Sequence, residues 1–284
     1  MSWAPAAILR AMVRPVSEGG LHRVKDALRR RLLNVAPGRR LRLQLACEAV
    51  ERYASGRSHL RLVDAGSEEG LLCLQLARRH PDWLLVAADL AEEPLRRGRR
   101  WARAEGLEVH FLRCDITRSL GTEAFDVVTA LESLEEIADD RAALRSIVVA
   151  LRPGGLFVVQ VPTVDWSPVL RNAERTWRRE VRHGYDAGEM SAVLQQLGLE
   201  IQQLRPTFRR LTALAQDVRD RVSGRGPVTR LMLLPLMAAA VRLERAGITW
   251  GPPRAWFVVA TKRVDGCCAT VEVGWPDSAS TRRG

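Results

Sequence analysis

An α/β fold, with a doubly wound and mostly parallel sheet at its centre and helical additions at both ends, is predicted by three features of the sequence. Short apolar runs alternate with helix-length amphipathic stretches from about residue 60 to residue 161, the pattern of βαβ units. A glycine-bearing turn, VDAGSEEG at 63–70, follows the first of those runs, where doubly wound sheets bind ligands. The length of 284 residues buries one complete α/β core with appendages and would crowd two.

The strands expected are 60–65 (LRLVDA), 83–88 (WLLVAA), 108–112 (EVHFL), 125–130 (FDVVTA) and 155–161 (GLFVVQV). Helices fill the gaps: 68–79, ending before Pro81, then 91–104, then 138–151, which Arg152-Pro153-Gly154-Gly155 stops. Ahead of this core, helices are expected near 5–14, 20–33 and 40–55, with Pro37-Gly38 separating the last two. Behind it come a helical insertion at 168–181, helix 187–197, a strand over 199–205, helix over 207–246 and a strand at 255–262. The organisation is thus a helical arm (1–57), a core (58–163), a helical insertion with completion of the sheet (164–263) and a disordered tail (264–284).

Apolar residues make up 46% and charged residues 27%, the balance of a folded globular protein and not of a disordered one. The net charge of +11 is uneven: residues 1–57 carry 12 basic against 4 acidic groups, whereas 58–163 carry 13 against 17. The basic flanks are suited to an anionic membrane or substrate; equally, Lys25 and Lys262 are the only lysines, the sign of a general bias toward arginine. The five cysteines form no C-x-x-C pair and no metal-ligand spacing, so no zinc site and no disulfide framework are expected, and Cys73 and Cys114 read as buried small hydrophobes of a reducing compartment. Arg10 and Arg14 interrupt the only apolar stretch near the N-terminus, which argues for a cytoplasmic protein.

Asp89 stands at the end of the second strand, 23 residues beyond Gly66, where a carboxylate accepts hydrogen bonds from both hydroxyls of a ribose. Gly66 permits close backbone approach to a ligand. A dinucleotide would need G-x-G-x-x-G, but the second glycine position holds Glu68, followed by Glu69. Two carboxylates repel a pyrophosphate, whereas S-adenosylmethionine (SAM) has no phosphate and carries a sulfonium cation, which an acidic turn tolerates.

Taken together, the motifs resemble those of the class I, Rossmann-like SAM-dependent methyltransferases of the small-molecule "methyltransferase type 11" kind, over roughly 58–163 and loosely to 263. VDAGSEEG is similar to that family's D-x-G-x-G-x-G, VAADL to its second-strand acidic motif and RCDITRSL to its adenine-contacting segment. The most specific match is FDVVTALESLEEIADDRAALRSIVVALRPGGLFVVQVP. The resemblance implies that Asp64 and Gly66 line the methionine portion of SAM, that Asp89 in its motif with Leu90 holds the ribose, and that Asp115 with Ile116 meets the adenine. Ala130 and Leu131 would close the site from the fourth strand. The weaker reading of Asp64 is a helix-capping acid, and of Asp115 a turn-forming residue. Two positions depart from the family pattern. Glu68 replaces its middle glycine, which either forces a different loop path or places Glu68 and Glu69 in the first helical turn, where the helix dipole favours anions. Glu136 stands in place of the histidine of its L-E-H motif.

On the acceptor side the chain offers Asp165, Trp166, Trp177, His183 and Tyr185. RHGYDAGEMSAVLQQLGLE resembles a helix-entry segment of the family, and His183 is the first choice for a general base; packing at a helix start, with Asp186 as cap, is the other reading. TALESL has no N/D-P-P-[YF] segment, so a specific nucleic-acid acceptor is not expected and a small-molecule, lipid-linked or glycan acceptor is. An apolar run from Leu231 to Val241, flanked by Arg230, Arg242 and Arg245, is too short to span a bilayer and reads as a lid or homodimer helix or as a peripheral contact with an anionic membrane. The function expected is SAM-dependent methyl transfer; a non-catalytic methyltransferase-like scaffold or regulator, and more weakly an RNA-binding protein using the arginine-rich flanks, are its rivals.

Overall fold

The computed structural model describes residues 36–165, 169–170, 181–222 and 232–264. The helices expected near 5–14 and 20–33, nearly all of the insertion at 168–181, with Trp177, and all but the first residue of the expected tail lie outside the described residues, as does Trp166. Seven strands form one sheet: β1 (Arg61–Ala65), β2 (Leu84–Asp89), β3 (His110–Arg113), β4 (Phe125–Leu131), β5 (Leu151–Pro162), β6 (Leu199–Thr207) and β7 (Ala255–Lys262). Their order is β3-β2-β1-β4-β5-β7-β6. β1 to β5 run parallel, and β7 inserts antiparallel between β5 and β6. Both faces of the sheet are covered, as a parallel sheet requires. Alternate residues of β1 feed different cores: Leu62 packs with Leu41, Leu72 and Trp101 on one side, Val63 with Leu144, Ile147 and Met190 on the other.

The helices are α1 (Pro37–Ala54), α2 (Leu71–Ala77), α3 (Glu92–Glu105), α4 (Asp140–Ala150), α5 (Ala187–Gln196), α6 (Arg210–Arg221) and α7 (Leu234–Arg245). Strand order reverses between β1 and β4, and the carboxyl ends of these two strands flank the crevice where ligands bind in such sheets.

Four local expectations are corrected. The helix expected over 40–55 begins earlier, at Pro37, so that Pro37-Gly38 opens α1 with Pro37 in the first turn, where its missing N–H costs no helical hydrogen bond; the helix expected before it lies outside the described residues. α2 begins at Leu71, after a left-handed Gly70, so Glu68 and Glu69 precede the helix and do not form its first turn. Arg152-Pro153-Gly154-Gly155 does not lie between helix and strand; it is an excursion within β5, whose pairing with β4 jumps from Phe125–Leu151 to Val127–Leu156. Cys73 is fully buried, but Cys114 is only partly so, because β3 is the edge strand. The long helix over 207–246 is seen as α6 and α7, with 223–231 outside the described residues.

Candidate functional site

Asp64 lies at the carboxyl end of β1 and is buried; its Oδ1 accepts a 2.6 Å hydrogen bond from Thr129 Oγ1 on β4. Burial pushes its carboxyl up to about 6, against the opposing effects of the Thr129 hydrogen bond and of Arg42. The chain then turns through Gly66, whose φ is +75°. A side chain there would meet Ser133, the built Cβ standing 2.3 Å from Ser133 Cβ, so the two connections cross where only glycine fits. The N–H groups of Gly66 and Ser67 donate to the Ala88 carbonyl at 2.9 and 3.0 Å, which ties the turn to β2.

Glu68 adopts a left-handed backbone, φ +50°, at the position where the family pattern has glycine. Its N–H donates to Asp89 Oδ2 at 2.8 Å, while Oδ1 of the same carboxylate accepts from the Ala91 N–H at 2.8 Å. Asp89 therefore fastens two turns, and each oxygen keeps a lone pair for a ligand hydroxyl. The Glu68 side chain pairs with Arg39 of α1 at 2.7 Å.

A cavity of about 420 Å3 opens at this point. Asp64, Gly66, Ser67 and Glu68 line one side of it, together with Leu131, Glu132 and Glu136 from the end of β4 and the turn that follows. Gly38, Arg39 and Arg42 of α1 wall the other side, with Phe208, Gln216 and Arg219 from β6–α6. The Ser67 hydroxyl oxygen is buried without a partner among the described residues, a polar atom available to a ligand. Glu132, also left-handed at φ +54°, pairs with Arg42 and accepts from Gln160 Nε2 at 2.9 Å. Beside it Glu135 is almost fully buried, and burial, together with the neighbouring Glu132, holds its carboxyl well above the usual range.

Of the residues singled out in the sequence, the structure brings Asp64, Gly66 and Leu131 into the cavity wall. Asp89 stands next to it through Glu68. Leu90 is 63% exposed past β2, Ile116 and Ala130 are buried, and none of these three lines the cavity. Asp115 Oδ1 accepts from the Thr117 N–H and hydroxyl, a local turn bond that holds its carboxyl below the usual range. His183 is exposed in the β5–α5 connection and is not among the lining residues. Asp165 is exposed, and Tyr185 is buried, donating to Asp140 Oδ2 at 2.7 Å. Asp186 caps α5 through the N–H groups of Gly188 and Glu189.

Sequence reasoning missed Arg39, Arg42, Phe208, Gln216 and Arg219. The one signal available was spacing: Arg39 and Arg42, like Gln216 and Arg219, are three residues apart and so share a helix face. Their carboxylate partners Glu68 and Glu132 are 29 and 90 residues away, beyond any local pattern.

A sequence profile of the family described as "Methyltransferase domain" matches residues 38–204. A demethylmenaquinone methyltransferase of Thermus thermophilus is 39% identical over 100 residues, covering 35% of this chain and 46% of the relative. A ubiquinone biosynthesis O-methyltransferase of Ruegeria pomeroyi is 34% identical over 154 residues, 50% of this chain and 60% of the relative. The chain spans about half the length of the curated relatives it matches. Among solved structures, phosphoethanolamine N-methyltransferase 2 of Haemonchus contortus, in complex with SAM, superposes with a TM-score of 0.56 at 16% identity over 76% of this chain and 51% of that one. The [4+2]-cyclase SpnF superposes with a TM-score of 0.54 at 20% identity, over 78% of this chain and 82% of that one. At such identities the structures share the fold, and the fold alone does not fix the chemistry.

Proposed function

The chain belongs to the methyltransferase-domain family, and on that premise we propose that it transfers the methyl group of SAM to a small-molecule acceptor. The observation that carries this reading is the cavity at the carboxyl ends of β1 and β4, where Asp64, Gly66 and the unpartnered Ser67 hydroxyl share one space with residues of α1 and α6, the side we assign to the acceptor. The polar groups fit the cofactor: Asp64 for its cationic methionine end, the unpartnered Ser67 hydroxyl for its carboxylate, and Asp89 for its ribose. Asp115 and Ile116 are proposed for the adenine and Ala130 with Leu131 for the floor, as the family resemblance implies.

Bound there, SAM supplies a methyl group already activated by its sulfonium, so the protein's task is to align the acceptor and exclude water. α1 contributes to both, since Arg39 and Arg42 fasten it across the cavity mouth to Glu68 and Glu132. His183 is proposed as base only for an acceptor that reaches the β5–α5 connection. Calorimetry with SAM and S-adenosylhomocysteine (SAH) tests the reading: binding is expected, and Asp89→Ala should weaken it by about 1.5–3 kcal/mol. No binding of either ligand would leave the non-catalytic scaffold reading.

Lipid-linked and glycan acceptors, and peripheral membrane contact at the inner face of a cytoplasmic membrane, belong to the same proposal. α7 buries Met237, Ala240 and Val241 against the body and exposes Leu236 and Leu243 beside Arg242 and Arg245. Ile248 and Trp250, just beyond α7 in the chain, are exposed as well, and exposed apolar side chains beside arginines favour an anionic lipid surface or a homodimer partner. No described helix is long and apolar enough to cross a membrane. Co-sedimentation with anionic vesicles at low and high salt separates the two, because lipid binding weakens with salt and dimerisation through apolar contacts does not.

A further inference from the structure

We infer that the acceptor compartment is an anion-recognising site, and that Arg219 selects an acceptor carrying a carboxylate or phosphate group on a flat apolar body. The inference rests on the methyltransferase reading and names the substrate class of its site.

The charges of the cavity are segregated. Its carboxylates, Asp64, Glu68, Glu132 and Glu136, all come from the β1 and β4 connections. Two of its three guanidinium groups are already committed to that side, Arg39 to Glu68 at 2.7 Å and Arg42 to Glu132. Arg219 differs. It projects from α6, on the far wall, with a side chain only 20% exposed, and its partner among the described residues is the adjacent Asp220, met by a single N–H at 2.9 Å. A guanidinium has five N–H donors in a planar fork that matches a carboxylate or phosphate, and most of this fork remains available.

The surroundings already show what the fork can hold. Gln216, one turn earlier on the same face, donates Nε2 to both oxygens of Asp220, at 3.0 and 2.9 Å, so an amide and a guanidinium from the cavity wall converge on a carboxylate. Phe208 gives the same wall a flat apolar surface; its buried ring lies against Gly38, where a built Cβ would stand 3.1 Å from Cζ. A bound cofactor, with a cationic sulfonium at its reactive end, meets the acidic wall, and an anionic acceptor meets the basic one. Each compartment is then complementary to its own ligand and repels the other, which is how charge discriminates between partners.

The test uses benzoate, phenyl phosphate and phenol as probes, titrated calorimetrically into the full chain with and without saturating SAH, for the native protein and for Arg219→Gln. The expected result is that at least one of the two anions binds at least about tenfold more tightly than phenol, and that Arg219→Gln removes this preference while leaving phenol and SAH affinity unchanged. Comparing benzoate with phenyl phosphate tells carboxylate from phosphate. Equal or undetectable binding of all three probes, or a preference that survives Arg219→Gln with the fold intact by melting temperature, overturns the inference. Failure of SAH to bind overturns the methyltransferase reading instead, and the titrations without SAH still report the anion site.

Discussion

The two walls of the cavity are built by different means. The wall proposed for the cofactor is turn backbone held by near neighbours: the turn at Gly66 hangs from the Ala88 carbonyl, and the N–H groups of Glu68 and Ala91 donate to the Asp89 carboxylate, all within one βαβ unit. The acceptor wall is made of side chains on helices far apart in sequence, α1 and α6, and the second of these is anchored by one buried ion pair. Arg254, just before β7, donates to Asp217 of α6 at 2.8 and 2.9 Å, and Asp217 also accepts the N–H groups of Val169 and Leu170. The contrast teaches that the wall proposed for the cofactor is written into local turn geometry, whereas the wall proposed for the acceptor depends on a few long-range contacts.

Breaking that ion pair is the most severe way to separate the two walls. Asp217→Ala removes the carboxylate that balances the buried Arg254 guanidinium and should cost about 3–5 kcal/mol, about 10 °C in melting temperature, measured by thermal denaturation. If SAH then still binds to the folded fraction, the walls are independent; loss of SAH binding in that fraction would join them.

Gly66→Ala strikes the cofactor wall in turn. The left-handed backbone costs a side chain about 1–2 kcal/mol, and the clash with Ser133 adds about 1–3 kcal/mol. SAH binding should be lost, and Ser133→Gly in the same chain should recover part of the stability. Absence of any recovery would show that the crossing at Ser133 is not what restricts this position.

Protonation offers a gentler perturbation. Asp64 has its folded carboxyl raised to about 6 from the ordinary 3.8, so the proton is bound more tightly in the folded state; this stabilises the free protein at low pH, and the benefit fades as pH rises through 6. A cationic ligand needs the ionised form. SAM and SAH affinity should therefore rise with pH up to about 6 and then level, by up to about tenfold per unit below it. Asp89, Glu68 and Arg42 also act on this carboxyl, so the assignment is made with Asp64→Asn, which should flatten the profile.

The smallest effect is expected at Glu68. Glycine at this position relieves about 1 kcal/mol of left-handed strain and gives up a half-exposed pair with Arg39 worth at most about 1 kcal/mol. Glu68→Gly should leave stability within about 1 kcal/mol and preserve or tighten SAM binding. A large loss of affinity would instead assign Glu68 a contact with the ligand, and the fastening of α1 to the cofactor wall would then be its second task.

Much of this was legible from residue order alone. Five parallel strands, their alternation with helices, the turn at Gly66 and the acid at the end of β2 follow from periodicity and spacing, because each reflects interactions within one or two neighbouring elements. The family resemblance added an ordered set of cofactor contacts, of which Asp64, Gly66 and Leu131 meet in one cavity. The tertiary structure decided what depends on distant residues. It inserted β7 between β5 and β6, set the Glu68 backbone left-handed with its side chain on Arg39, and paired Arg42 with Glu132 across 90 positions. It also kept His183 out of the cavity wall and put Phe208, Gln216 and Arg219 into it. No local pattern encodes such contacts, because a side chain's chemistry is set by what the fold brings within reach of it, and the chain's own neighbours supply only the backbone that carries it there.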